Sequence, residues 1–213
     1  ALALGVPHVH TPHSLGIWKE RDMRENSEED AAVLDERFNF GQRIHHERIL
    51  YRESDLVIAT TPIQADMLVS DYDVKPDHLR MIPPGYDDTR FFPVGAASRR
   101  ALRSDLGYET RVIASLGRLA RNKGFDLLVE AFGFVAERDP SVQLRMAIND
   151  ASSDRGDDSL MNEVLALIEK NGLADRVVIS PSVSDEALPD FYRAADVFAL
   201  SSRYEPFGMT AVE

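Results

Sequence analysis

The stretch RVIASLGRLARNKGFDLLVEAFGFVAERDPSVQLRMAI (residues 111–148) decides the fold. Residues 111–117 form a short apolar run closed by a glycine, the pattern of a buried strand. From 123 to 140 the apolar residues at 125, 128, 132 and 135 keep to one face of a helix, and Asp139-Pro140 ends it, because the residue before a proline is pushed out of helical geometry. VQLRMAI (142–148) is a second apolar strand. Strand, helix and strand, with both strands apolar almost throughout, predict a parallel pair joined by a crossover helix and covered on both faces.

The same alternation runs outward. Downstream come a helix at 159–172 stopped by Gly172, a strand at 176–180, a helix at 185–196 with Asp185 as its cap, and a strand at 197–201. Upstream, VPHVHT (6–11), DLVIAT (55–60) and LRMIPPG (79–85) are strands. Residues 35–52 have helical spacing. Thr61-Pro62 opens a helix with a hydroxyl at the cap and Pro at the first turn. Residues 20–33 are charged without a clear period, and are expected to form a loop or mobile helix. YDDTRFFPVGAASRR (86–100) has turn residues and no period, so a linker is expected there. The fold class is α/β with parallel sheets.

The 213 residues suffice for one large domain or two modest ones. A formal net charge of -12 argues against nucleic acid and anionic membrane as partners, so an anionic ligand would need a local basic island. Without cysteine there is no disulfide, thiolate metal site or thiol nucleophile, a composition compatible with a reducing cytoplasm. No run approaches the ~18 apolar residues of a membrane span. The start lacks Met and reads as an element already under way, so a fragment cut at both ends is expected.

In open parallel sheets ligands sit beyond the carboxyl ends of strands, and three polar clusters fall there. GRLARNKG (117–124) places Arg118 and Lys123 on a strand-to-helix loop, where an anion would meet two cations and free backbone donors. The bland alternative is two solvated cations, and the spacing is neither a Walker loop nor GxGxxG. YEPFGMTAVE (204–213) reads as a helix beginning near Pro206, with free N–H groups around Phe207, Gly208 and Met209. On that helix Glu205 and Glu213 would share a face about 12 Å apart, too far for an acid/base pair but suited to two contacts on one extended ligand. A capping acid and a surface acid are the alternative. HVHTPHSLG (8–16) puts His13 in a turn after a strand, where its ring could donate to a sugar hydroxyl or move a proton. No carboxylate or cysteine joins His8, His10 and His13 as a metal set.

Together, TPHSLG, RIHHERILYRESDLVIATTPIQ, MIPPGYDDTRFFP, LGRLARNKGFDLLVEAF, LPDFYRAADVFALSS and YEPFGMTAVE resemble the retaining glycosyltransferases of family 4, with the sucrose-phosphate synthase branch nearest. The resemblance implies a GT-B-like fold, two Rossmann-like parallel-sheet domains facing a cleft and both incomplete in this chain. Residues 1–93 would be the rear of the N-terminal, acceptor-side domain with the hinge, and 94–213 the front of the C-terminal, nucleotide-sugar-binding domain. It implies hexosyl transfer from a nucleotide-sugar (GDP-mannose favoured, UDP-glucose possible) to a sugar phosphate such as fructose 6-phosphate, in the cytoplasm, without cofactor or metal. A glucan, lipid or other sugar acceptor, or a non-catalytic nucleotide-sugar-binding fragment, stays open.

By position, Arg118 and Lys123 match the pair gripping the donor pyrophosphate. Glu205 matches the acid on the donor sugar, with Phe207, Gly208 and Met209 assisting. Glu213 matches the ribose acid, His13 the active-site histidine and Val183 a donor-side contact. Lys19 and Arg43 loosely match basic residues near the acceptor phosphate. Two departures bear on base recognition: Asn149-Asp150 where the family often has Gly-Gly, and SPSV (180–183) where many members have a Gly-containing turn.

Overall fold

The computed structural model describes residues 5–26, 30–149 and 158–213. The chain forms two compact units, one of residues 5–85 and 204–208 among those described, the other of the described residues from 86 to 203 and from 209 to 213.

In the first unit, strands β1 (Val9–His10), β2 (Leu56–Ala59) and β3 (Leu79–Met81) are all parallel, in the order β1-β2-β3. Helices α1 (Gly16–Asn26), α2 (Ala31–Phe38) and α3 (Phe40–Glu53) connect β1 to β2, and α4 (Pro62–Tyr72) connects β2 to β3. Val57 and Ala59 of β2 are fully buried in a core with Leu15, Tyr51, Leu68 and Tyr72. The expected cap of α4 is present: Thr61 Oγ1 accepts from Gln64 N at 3.1 Å.

The second unit carries α5 (Ala96–Asp105), β4 (Val112–Arg118), α6 (Phe125–Arg138), β5 (Gln143–Asn149), α7 (Asp158–Lys170), β6 (Val177–Ser180), α8 (Leu188–Ala194), β7 (Val197–Phe198) and α9 (Met209–Val212). Its sheet is parallel throughout, in the order β6-β5-β4-β7, and β4 pairs with β5 from Val112↔Gln143 to Arg118↔Asn149. Both faces are covered, as the apolar strands require. Leu144, Met146 and Ile148 pack with Val129 and Phe132 of α6 and with Val164 of α7. Val112, Ala114 and Ala147 pack with Phe191 and Ala194 of α8. From β4 the chain moves outward to β5 and β6, then returns to lay β7 on the other side of β4. The carboxyl ends of β4 and β7 therefore flank a topological switch point, where such sheets place ligands.

Several expected elements differ. Residues 96–100 belong to a helix, not a linker, and α5 is held by tertiary contacts to distant residues. Arg99 donates to Arg193 O at 3.0 Å and Ala195 O at 2.8 Å, and Arg103 to Ala194 O at 2.6 Å, capping the carboxyl end of α8. Both also pair with Asp196. The helix expected over 35–52 is two helices, broken at Asn39, which sits in the left-handed region (φ 52°, ψ 45°) that asparagine tolerates. Residues 20–26 are helical despite their charge, as part of α1. Helix α8 begins after Ala187, and Ser184 rather than Asp185 closes the turn before it, with Ala187 and Leu188 N–H donating to Ser184 O. Of the Asn149-Asp150 departure, Asn149 ends β5 and Asp150 lies outside the described residues.

Candidate functional site

At the switch point of the second unit, the β4–α6 loop meets the segment after β7. Arg118 is the last residue of β4, and its side chain is exposed. Gly117 before it leaves room for the Lys123 stem, whose Cγ and Cδ would lie 3.6 Å from a Cβ built there. Lys123 ends a 3-10 turn (Arg121–Lys123), and Gly124, at φ +64°, swings the chain into α6. A Cβ on Gly124 would fall 2.1 Å from Ser201 O, so only glycine fits. Ser201 Oγ donates to Lys123 O at 2.9 Å, and Arg203 N to Asn122 O at 2.8 Å. Arg203 also donates both terminal nitrogens to Asp126, at 2.7 and 2.6 Å, with both side chains largely buried. These ties lock the segment carrying Lys123 to the segment leading toward Glu205.

The hydrogen bonds from Arg203 hold the Asp126 carboxyl below the usual carboxylate range, against the opposing effect of burial. The backbone N–H groups of Leu127 and Asp126 act on that carboxylate in the same direction. The helix start is thus not the open row of donors expected: Asp126 occupies part of it. Val183 is half-buried against the core cluster of Tyr108, Val112 and Phe191.

The anticipated helix from Pro206 is absent. Only Met209–Val212 are helical, so the 12 Å helical separation of Glu205 and Glu213 does not apply. Tyr204–Gly208 belong to the first unit instead, and Met209–Glu213 to the second. The physical reason lies at Tyr204, buried with its ring 4.7 Å from that of Trp18 and its hydroxyl 3.3 Å from Ser14 Oγ. Gly208, buried at φ +85°, supplies the left-handed turn that precedes α9. Phe207 and Met209 flank it, both half-buried. Glu213 Oε2 accepts from Tyr192 O–H at 3.1 Å, and burial, followed by the Glu213 charge, pushes the phenol far above its ordinary range. The two line a pocket of ≈ 390 Å³ with Phe92, Val94, Arg99 and Arg193.

In the first unit, the turn after β1 leaves His13 exposed while the backbone on both sides is fixed. Gln64 Nε2 donates to Pro12 O at 2.9 Å, and Arg43 Nη2 to Ser14 O at 3.2 Å. Tyr204 Oη accepts from Leu15 N at 3.4 Å, Glu47 Oε2 from Gly16 N at 2.8 Å, and Tyr72 Oη from Ile17 N at 3.0 Å. The first two N–H groups of α1, those of Gly16 and Ile17, are thus satisfied by side chains. Arg43 also donates Nε to Glu47 Oε1 at 2.7 Å, so much of its hydrogen bonding is internal. Lys19 lies over the Phe38 ring, 5.2 Å from its centre. His8 and His10 share a face, their rings 5.9 Å apart. Burial, then the charges of His8 and His13, lower the His10 pKa.

The structure thus places His13, Lys19, Arg43, Glu205, Phe207 and Gly208 in the first unit, and Arg118, Lys123, Val183, Met209 and Glu213 in the second. Glu47 and Tyr72, which brace the turn after His13, and Asp126 and Arg203, which brace the Lys123 loop, were not anticipated. Arg43 and Glu47 at i and i+4 on a helix carried a signal; Asp126 and Arg203 had none. Among the described residues no helix is long and apolar enough to cross a membrane.

Two family models match successive parts of the chain. A family model described as "Glycosyl transferases group 1" matches residues 99–213, and one described as "Glycosyltransferase Family 4" matches residues 1–90. The chain is 53% identical to mannosylfructose-phosphate synthase of Agrobacterium fabrum over 211 residues, covering 99% of this chain and 46% of that protein. It is 33% identical to D-inositol 3-phosphate glycosyltransferase of Segniliparus rotundus over 212 residues, covering 99% of this chain and 44% of that one. The solved sucrose-phosphate synthase of Thermosynechococcus elongatus superposes with a TM-score of 0.76 at 28% identity, over 96% of this chain and 46% of that one. The chain spans about half the length of the curated relatives it matches. The parallel α/β architecture of the units is that of GT-B glycosyltransferases. With one family model covering more than half of its residues, the chain belongs to the group 1 glycosyltransferases.

Proposed function

We propose that the protein to which this chain belongs is a retaining hexosyltransferase acting on a phosphorylated sugar, with fructose 6-phosphate the favoured acceptor and GDP-mannose the favoured donor. The observation that carries this reading is the 53% identity to mannosylfructose-phosphate synthase along 99% of the chain. The acceptor phosphate has a second support: all three relatives compared above carry a phosphate in their names. In this reading residues 1–93 are the rear of the acceptor-side domain and 94–213 the front of the donor-side domain.

The chemistry is the front-face transfer that the resemblance to the retaining glycosyltransferases implies. The acceptor hydroxyl forms a bond to the anomeric carbon on the face the diphosphate leaves. The carbon–oxygen bond to the diphosphate breaks, its electron pair stays on the phosphate oxygen, and the hydroxyl proton passes to that leaving group. No protein nucleophile is needed. Arg118 and Lys123 stabilise the charge that grows on the diphosphate, an electrostatic role for fixed cations beside a leaving anion. Glu205, with Phe207, Gly208 and Met209, holds the donor sugar, Glu213 the ribose, and His13 reaches the transferred sugar. Lys19 and Arg43 face the acceptor phosphate, and Val183 the donor base.

The test is turnover by the whole protein with GDP-mannose and with UDP-glucose against fructose 6-phosphate. Arg118→Ala and Lys123→Ala should each lower kcat by roughly 10²–10³, the range for losing one group that stabilises developing charge. Full activity in both variants would overturn the site. Transfer to unphosphorylated sugars at the rate seen with fructose 6-phosphate would overturn the acceptor assignment.

A further inference from the structure

We propose that Glu47 is a positioning residue that sets the His13 turn. The inference rests on the functional reading above for the role of His13, and on geometry for the rest.

Five side-chain ties fix the backbone between Pro12 and Ile17, and Glu47 governs three of them. Its Oε2 takes the Gly16 N–H directly, at 2.8 Å. The same oxygen accepts from Tyr72 O–H at 2.6 Å, which orients the phenol oxygen toward the Ile17 N–H. Its Oε1 takes Arg43 Nε at 2.7 Å, which turns the guanidinium so that Nη2 reaches Ser14 O. One carboxylate thus selects the orientation of a donor and of a donor–acceptor, and through them the peptide groups just after His13.

The approach is close enough that a larger residue at position 16 would push the carboxylate aside. A Cβ on Gly16 would stand 2.7 Å from Glu47 Oε2 and 3.0 Å from Ile44 Cγ1. The Glu47 side chain is only 12% exposed, so water competes little for it. His13, by contrast, has an exposed side chain at the apex of this frame. A turn pinned on both flanks with its apex free holds a side chain at a set position without covering it, which pre-organised catalytic contacts require.

Glu47→Gln tests this with little change in volume. The amide oxygen can still accept one N–H or O–H, but the amide nitrogen then opposes the Arg43 donor. In the whole protein, Glu47→Gln should lower kcat about tenfold or more, with KM for the nucleotide-sugar changed less than about twofold. At saturating fructose 6-phosphate, where a weakened Arg43 contact to the acceptor no longer limits the rate, adding Glu47→Gln to His13→Ala should lower kcat less than about twofold further, because the group being positioned is already gone. Tyr72→Phe, which removes a single relay, should give a smaller loss of kcat in the same direction. The His13 ring Cε1–Hε1 NMR signal of the ligand-free protein should shift in Glu47→Gln.

An additive double mutant, or an unmoved His13 signal in a folded Glu47→Gln protein, overturns the proposal. Full activity in His13→Ala overturns it too, while leaving the Arg118 and Lys123 test untouched. A wild-type protein that transfers no sugar from any nucleotide-sugar overturns the functional reading instead, and the His13 signal alone then decides whether Glu47 sets the turn.

Discussion

Gly124→Ala should destabilise the second unit by on the order of 2–5 kcal/mol. Two effects combine. The residue sits at φ +64°, ψ 34°, a left-handed conformation that costs an L-residue roughly 1–2 kcal/mol. The new Cβ would also start 2.1 Å from Ser201 O and 3.1 Å from Ser201 C, both backbone atoms that no rotamer change can move aside. Relief requires the segment after β7 to back away. That stretches the Ser201–Lys123 and Arg203–Asn122 hydrogen bonds, each worth about 0.5–1.5 kcal/mol. Urea unfolding followed by circular dichroism measures the loss. Gly124→Asn separates the two effects, since asparagine tolerates the left-handed region but brings the same Cβ. If close approach matters, Asn is as damaging as Ala. A loss below about 1 kcal/mol for Ala, or recovery with Asn, would refute the claim that the two loops are locked here.

Two further substitutions probe the frame. Asp126→Asn leaves the largely buried Arg203 without its counter-charge and should cost roughly 2–4 kcal/mol. Because the folded Asp126 pKa lies below the ordinary 3.8, its contribution is complete above that value and is lost as pH falls through the lowered one. The melting-temperature gap between wild type and Asp126→Asn should therefore narrow below about pH 4, and a gap independent of pH would count against the pairing. Asn39→Ala should cost about 1 kcal/mol in chemical denaturation and Asn39→Gly much less, because the break between α2 and α3 needs a left-handed residue.

What was legible in the sequence follows from how local each cause is. The strands at 55–60, 111–117 and 142–148 could be read because burial on both faces forces nearly every side chain to be apolar. The Thr61-Pro62 start and the Gly172 stop are written in two or three adjacent residues. Helix α5 was missed because it is secured by Arg99 and Arg103 reaching carbonyls more than ninety positions away. Pro206 signals a helix start locally, but the burial of Tyr204 beside Trp18 claims that segment and delays the helix to Met209. The loop of Arg118 and Lys123 was found because it ends an evident strand. Its brace, the Asp126–Arg203 pair, joins residues 77 apart and leaves no periodic trace.

Two of the residues singled out for chemistry, Arg118 and His13, differ in environment from the residues that brace the Lys123 loop and the His13 turn. Arg118 is exposed at a strand end and His13 at a turn apex, where neither is needed to keep the backbone folded. Glu47 and Tyr72 are shielded from water and bonded to the backbone just after His13, and the largely buried Asp126–Arg203 pair is tied through Arg203 to the carbonyls of Arg121 and Asn122 beside Lys123. Truncating an exposed group with no packing role usually moves stability by no more than about 0.5 kcal/mol, whereas breaking a shielded bonded pair moves it by several. The first class should therefore lose turnover at nearly constant stability, and the second should lose both together. Glu47→Gln is the informative intermediate, because it keeps the volume and part of the bonding while disturbing direction. A side chain that acts through geometry alone should show its effect in kcat well before the fold gives way.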